Sequence, residues 1–541
     1  MTERPLSSIT DALPRRAAES PEQIAIRVPG PRHNAKGFAR YDQALTFAQL
    51  DERTQSLARG LLQDAGLKRG DRVVVMLKPS LEFFVVMFAL FRAGVVPVLI
   101  DPGIPRAALK ACLMEAEPHG FIGVPLAHLG RRLFGWAPSS QINLTTGHGW
   151  FGNRRLRELY STKALDIPES NPEDLAAILF TSGSTGVPKG VEYQHRHFVG
   201  QLQMLGDAFD IQAGGIDFPT FPPFALFDPA LGLTSIIPDM DARKPAQADA
   251  RKLHDAIDRF GVGQLFGSPA LMKVLADYGK PLPSLQRVTS AGAPVPASTV
   301  AQMQELLPES ARLWTPYGAT ECLPVALIEG RQLIGTRLAT EQGAGTCVGR
   351  PMPHNDVRII GIVDGPIADW SDTVPCAPGE IGEITVSGPS TTEAYFNRPD
   401  LTARAKIRDG DRVVHRMGDV GYFDDQGRLW FCGRLTQRVV AADRTLYTEQ
   451  VEPVFNTHPA VARSALVGVD GVPVVMIELD PKTHQSWDAV QAELAIMAQA
   501  NKQTIGIEHF FAERKFPVDI RHNSKIQREV LAQEAARQMR A

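Results

Sequence analysis

Leu175-Ala176-Ala177-Ile178-Leu179-Phe180-Thr181-Ser182-Gly183-Ser184-Thr185-Gly186-Val187-Pro188-Lys189-Gly190-Val191-Glu192 passes from an apolar run into a loop and back into structure. Leu175 to Phe180 reads as a buried strand. The ten residues from Thr181 to Gly190 hold three glycines, four hydroxyls, one proline and one lysine. Glycines let backbone N–H groups approach an anion, hydroxyls add donors, and Lys189 adds a mobile positive charge. The expected use is a phosphate cradle. It is not a Walker A loop, because Pro188 precedes the lysine and Gly190 follows it where Ser or Thr is required. The bland alternative, a flexible connector, sits poorly with a launch from a buried strand and a lone lysine.

Working outward, Thr46 is placed to cap a helix running through Leu61. Val73 to Leu77 reads as a strand, residues 80 to 93 as a helix, and Val95 to Ile100 as a second strand. Strand, helix, strand predicts a βαβ unit and a parallel sheet covered on both faces. The chain's 541 residues exceed one core and call for two or more domains. A net charge of -3 argues against a nucleic-acid footprint. Five cysteines with no CxxC pair, and a start without an apolar signal region, point to a reducing, cytoplasmic setting without structural zinc. The apolar window Leu81 to Ile100 is interrupted by Glu82, Arg92 and Pro97, which favours buried helix and strand over a membrane span. Arg131-Arg132, Arg154-Arg155 and Arg157 make residues 120 to 165 basic. A solvated insertion and contact with an anionic partner or membrane both remain open there.

Downstream, Ser290-Ala291-Gly292-Ala293-Pro294 closes a strand in small residues. Tyr317-Gly318-Ala319-Thr320-Glu321 and Arg416-Met417-Gly418-Asp419 follow, then Gly433-Arg434-Leu435-Thr436 and Asn523-Ser524-Lys525-Ile526-Gln527-Arg528. With the loop, and in this order, these segments resemble the adenylate-forming superfamily of acyl-CoA synthetases, luciferases and peptide-synthetase adenylation domains. The resemblance implies an α/β fold: a large N-terminal domain of layered, mostly parallel sheets with helices over 1–433, including a small β-rich subdomain at about 335–432, and a mobile α+β C-terminal domain over 434–541. It implies ATP and Mg²⁺ as cofactors. Thr181, Ser182, Gly183, Ser184, Thr185, Gly186 and Lys189 would hold phosphates. Gly292, Ala293, Pro294, Tyr317 and Gly318 would lie along adenine, Thr320 would reach a phosphate, and Asp419 and Arg434 would take the ribose. Thr185 and Glu321 would carry the metal. Thr185, Glu321, Arg434 and Lys525 form the implied catalytic set, Lys525 bridging carboxylate and α-phosphate, with Thr436 as the hinge. Three positions depart from the family pattern: Met417 for Thr, Thr436 for Asp or Lys, and Ser524 for Gly.

Phe221-Pro222-Pro223-Phe224-Ala225-Leu226-Phe227 reads either as core or as the wall of an apolar pocket. By resemblance Phe221, Phe224, Ala225 and Phe227 would face the acyl group, with Ala225 where relatives often carry a gating His. Asp443 stands where thioester-forming relatives place a small tunnel residue, and a carboxylate there disfavours CoA. Leu99-Ile100-Asp101-Pro102-Gly103, the segment from Phe221 to Gly232, and Ile236-Ile237-Pro238-Asp239-Met240-Asp241 look most like the β-lactone synthetases of bacterial long-chain olefin biosynthesis, and Asp443 fits that branch. That branch activates a 2-alkyl-3-hydroxy fatty acid as acyl-AMP and closes a β-lactone through the 3-hydroxyl, alongside other enzymes of its pathway. A fatty acyl-CoA or acyl-carrier-protein ligase and a non-catalytic nucleotide-binding subunit stay open as alternatives.

Overall fold

The computed structural model describes residues 5–100, 104–149, 153–181, 188–518 and 526–540. Leu175–Thr181 is a strand, and Lys189–Gln194 returns antiparallel beside it with Thr181 opposite Lys189. The glycine-rich segment therefore connects two antiparallel strands rather than a strand and a helix. This hairpin closes one edge of a seven-stranded sheet, in the order Arg154–Arg155, Ile142–Thr145, Gly120–Gly123, Arg72–Met76, Val96–Ile100, Leu175–Thr181, Lys189–Gln194. Every pair but the hairpin is parallel.

The helix Leu81–Ala93 shows why the apolar window does not mark a membrane. The Ser80 hydroxyl caps it by accepting from the Phe83 amide at 3.3 Å, and Gly94 ends it at φ +66°, a conformation that suits glycine. Residues Phe83 to Phe91 are all buried, as expected of a helix apolar on all sides. It belongs to one core with the helix Phe47–Gln63 and with residues of both large sheets, including Ile26, Val73 and Ile122. Each fully buried Phe of this set contributes about 1.5–3 kcal/mol. Thr46 and Gln49 cap the second helix reciprocally, at 3.1 and 3.3 Å. Among the described residues no helix is long and apolar enough to cross a membrane.

In the second sheet Ile24–Val28, Thr234–Ile236, Ile216–Pro219, Gln264–Gly267, Arg287–Ser290 and Arg312–Ala319 run parallel. Cys322–Glu329 then turns back, and antiparallel pairing continues through Thr346–Pro351, Leu429–Arg434, Arg412–Phe423, Gly382–Ser387 and Asp356–Ile360. The β-rich stretch expected from about 335 is thus continuous with the parallel sheet through Thr346–Pro351. Beyond Val439 the cores change. Two hydrophobic clusters draw only on residues from Val439 onward, around the strands Val461–Val469, Val472–Leu479 and His509–Glu513.

Candidate active site

The hairpin brings Thr181 and Lys189 to the mouth of the loop. Ser182, Gly183, Ser184, Thr185 and Gly186 lie outside the described residues. A Cβ at Gly190 would stand 2.9 Å from the Phe180 ring and 3.0 Å from Ile178, so this close approach admits only glycine. The Gly190 carbonyl accepts from the Phe396 amide at 2.8 Å. That contact lays the Tyr395 segment beside the hairpin, and Lys189 Nζ sits 5.0 Å from the Tyr395 ring centroid.

Thr320 and Glu321 are the two-residue turn between Arg312–Ala319 and Cys322–Glu329, because Ala319 pairs with Cys322 across it. The turn is braced from behind. The Tyr193 hydroxyl donates to the Thr320 carbonyl. The Thr392 amide and hydroxyl both donate to the Glu321 carbonyl, at 2.9 and 3.0 Å. Lys406 donates in turn to the Thr392 carbonyl, and to its hydroxyl at 3.3 Å. Burial pushes the Lys406 ammonium down to about 8, with Glu321 opposing the shift. The Tyr395 hydroxyl donates to Glu321 Oε1 at 2.5 Å. Two independent braces thus fix the backbone and one carboxylate oxygen of Glu321.

Asp419 is almost fully buried on Arg412–Phe423, in register with Arg434 on the neighbouring strand. Its Oδ2 accepts from the Tyr317 hydroxyl at 2.6 Å, and its Oδ1 lies 2.8 Å from Arg434 Nη1. Burial raises the Asp419 carboxyl and the Arg434 guanidinium lowers it. Burial beside that carboxylate holds the Tyr317 phenol far above its ordinary range. Tyr317, Asp419 and Arg434, distant in sequence, form one cluster. Met417, in the slot of the family threonine, is buried in the cluster that contains Cys322, Ile384 and Val386, against which Tyr317 also packs.

Gly292 follows the strand Arg287–Ser290 at φ +99°, and Ala293 and Pro294 lie in the loop beyond. Ser290 Oγ, at the strand's end, is buried without a hydrogen-bond partner among the described residues. In the aromatic segment, Phe221 meets Phe224 at 5.1 Å, and Phe224 meets Phe266 at 4.6 Å. Phe227 meets Phe198, which stacks on Tyr193. Ala225 is fully buried. Through Phe227, Phe198 and Tyr193 the segment therefore reaches the Thr320 turn.

Thr436 is exposed in a single turn, Leu435–Gln437, directly after Arg434. Lys525 and Ser524 lie outside the described residues, but the segment's exit is fastened. Arg528 grips both carboxylate oxygens of Glu452 at 2.7 Å, and Glu452 also accepts from the Leu466 amide at 2.9 Å. Asp443 is exposed in the turn of the hairpin Val439–Val440 and Thr445–Leu446.

The family model described as AMP-binding enzyme matches residues 13–396. The chain belongs to the AMP-binding enzyme family. This AMP-binding enzyme is 60% identical over 539 residues to an olefin beta-lactone synthetase from Stenotrophomonas maltophilia (strain K279a), covering 97% of each chain. It is 58% identical over 547 residues to an olefin beta-lactone synthetase from Xanthomonas campestris pv. campestris, covering 98% of each. In fold it resembles the amide bond synthetase from Marinactinospora thermotolerans, with a TM-score of 0.77 at 22% identity over 97% of this chain and 99% of the other. It also resembles the o-succinylbenzoate coenzyme A synthetase of Bacillus subtilis solved with ATP and magnesium ion, at a TM-score of 0.73 and 22% identity, covering 96% and 98%.

Reading motifs alone misses Tyr395, Thr392 and Lys406, which brace Glu321 in this AMP-binding enzyme. Lys406 stands between Arg404 and Arg408 and reads as one more solvated cation. Only the tertiary fold shows that it is buried.

Proposed function

We propose that this chain activates a long-chain 2-alkyl-3-hydroxy fatty acid with ATP and then closes it to a β-lactone. The observation that carries the reading is 60% identity, over 97% of both chains, to a protein named olefin beta-lactone synthetase. The site's chemistry agrees with a nucleotide. Asp419 offers a buried carboxylate suited to a ribose diol, the unpartnered Ser290 hydroxyl lies near Gly292, and Tyr317 supplies an aromatic edge. Lys189 and the loop's N–H groups suit the phosphates.

In the first step a carboxylate oxygen of the acid attacks the α-phosphorus, the bond to the bridging oxygen breaks, and pyrophosphate leaves. Glu321 is the described residue with the hard oxygen donors that Mg²⁺ prefers, joined by Thr185 in the motif, and the ion would neutralise triphosphate charge. Lys525 offsets charge between the acid and the α-phosphate, and Asp419 with Arg434 fixes the nucleoside so that the reacting atoms align. In the second step the 3-hydroxyl oxygen attacks the acyl carbon, the ring C–O bond forms, the bond from the acyl carbon to the phosphate oxygen breaks, AMP leaves, and the hydroxyl proton passes to solvent. Phe221, Phe224, Ala225 and Phe227 line the acyl side. Thr436 is the hinge between a body of residues 1–433 and a mobile unit of residues 434–541. The cysteines, all free, agree with a cytoplasmic site among the other enzymes of an olefin pathway.

Incubation with ATP, Mg²⁺ and a long-chain 3-hydroxy acid should release AMP and a neutral lactone without CoA. Strict dependence on CoA would overturn the reading. An acyl-CoA ligase is the second reading, favoured by one observation: Asp443 is exposed at a hairpin turn, where its carboxylate by itself obstructs nothing.

A further inference from the structure

Twelve large hydrophobic side chains are exposed among the described residues, and five of them share one face: Met114, Leu126, Leu129, Leu133 and Phe134. Met114 lies on the helix Arg106–Glu115 and the other four on Pro125–Phe134. The remaining seven are scattered over the chain from Leu338 to Val530. Both helices pack on the seven-stranded sheet through an inner face that includes Cys112, Leu113 and Ala127 against Phe121 and Val74. The buried His128 ring, hydrogen-bonded to the Leu144 carbonyl at 2.8 Å, helps fix the second helix in rotation. With that face turned inward, Leu126, Leu129 and Leu133, spaced three and four apart, form a stripe pointing outward. Leu126 is 75% exposed and Leu133 67%. This is not a half-buried core edge.

Among the described residues of the two helices the exposed charges are basic, and the exposed acid Glu117 lies two residues past the end of the first. Lys110 and Arg132 are exposed on the two helices. They lie towards one end of the pair, since Lys110 Nζ falls 3.9 Å from where a Cβ on Gly135 would stand. The acid within these helices, Glu115, is drawn inward near Arg398 at 3.9 Å. The whole chain carries a net charge of -3, so this cationic, leucine-rich face runs against the protein's average. A surface helix with Leu and Phe on one side and Lys or Arg beside them suits the interface of an anionic bilayer.

We propose that this face docks the protein on anionic membrane, with Leu126, Leu129, Leu133 and Phe134 among the acyl chains and Lys110 and Arg132 at the headgroups. The surface is independent of the reaction proposed above, and its failure would leave that reading intact. The full-length protein should co-sediment with vesicles of phosphatidylcholine and phosphatidylglycerol in equal parts, bind weakly to phosphatidylcholine alone, and be released by salt. The double variant Leu126→Ser/Leu133→Ser should bind at least about tenfold more weakly at every salt concentration, and Lys110→Glu/Arg132→Glu should lose the preference for anionic lipid. Unchanged thermal melting and nucleotide binding would show that both variants are folded. Failure of the wild type to bind vesicles at low salt, or equal binding by the serine variant, would overturn the proposal. So would a wild-type dimer in sedimentation equilibrium that the serine variant converts to monomer, which would assign the face to a second copy of the chain.

Discussion

The Tyr395 hydroxyl donates a 2.5 Å hydrogen bond to Oε1 of Glu321. The bond crosses from the segment beside the glycine-rich hairpin to the turn after Ala319, so the proposed metal ligand is oriented by a residue outside every recognised motif. Tyr395→Phe removes only the hydroxyl. A hydrogen bond to a charged group is worth about 1.5–3 kcal/mol, and losing orientation alone should raise the Mg²⁺ concentration needed for half-maximal pyrophosphate exchange by roughly tenfold. Calorimetric binding of ATP without metal should be unchanged. If metal-free binding fell equally, the bond would be a general prop of the fold instead.

Asp419 leads to a different expectation. Its carboxylate is held by Tyr317 and Arg434 on the side where the proposed nucleoside lies. Asp419→Ala deletes two charge-assisted acceptors and strands a cation. ATP affinity should fall by about a hundredfold or more, read by calorimetry. An unaltered dissociation constant would remove Asp419 from the nucleotide site.

Immediately before Met417, Arg416 reads in the sequence only as part of a motif. In the fold it makes an almost fully buried ion pair with Glu383, at 2.6 and 3.0 Å, and donates to the Val363 carbonyl at 2.7 Å. Arg416→Met leaves Glu383 buried and unpaired. Chemical denaturation should show a loss of about 3–5 kcal/mol, whereas replacing exposed Arg537, paired with Glu534 on one helix, should leave the denaturation midpoint unchanged.

Acid should find a weak point at His195 and His197. Both rings are buried, and His195 Nδ1 and His197 Nε2 have no hydrogen-bond partner among the described residues. Burial pushes His195 down to about 4 and His197 to about 3. The unfolded chain takes up these protons near pH ~6.5 and the folded chain resists them, so the stability they contribute is complete above that pH and drains away as pH falls towards 4 and then 3. Asp228 and Glu383, raised by burial, act with the opposite sign, but they are common to wild type and variant and cancel in the difference. Between about pH 7 and about pH 5, the double variant His195→Gln/His197→Gln should lose about 3 kcal/mol less in urea melts than the wild type does. Parallel curves would show that these rings protonate without resistance.

Local pattern and global packing divided the information unequally. The helix over 81–93 and its flanking strands were legible because apolar run length and caps are local. The cluster of Tyr317, Asp419 and Arg434 was legible only through family motifs, since no spacing rule joins residues that distant. The glycine-rich loop was read as a cradle, yet its hairpin form was not, because pairing of Thr181 with Lys189 is a register that sequence periodicity does not encode. Lys406 was invisible for a simpler reason. Its neighbours Arg404 and Arg408 are charged, and it takes the tertiary placement of Thr392 and Glu321 to make burial of the ammonium tolerable.

The ladder that sets Asp419 opposite Arg434 has a mechanical consequence. Arg434 is the last residue of its strand, and Thr436 stands exposed two residues on. Whatever pulls on the Asp419 carboxylate pulls on the final rung before the chain departs for the C-terminal unit. With Asp419 as the proposed ribose ligand and Thr436 as the proposed hinge, filling and emptying of that pocket would reach the swivel in a single step, like a latch mounted on its own door frame.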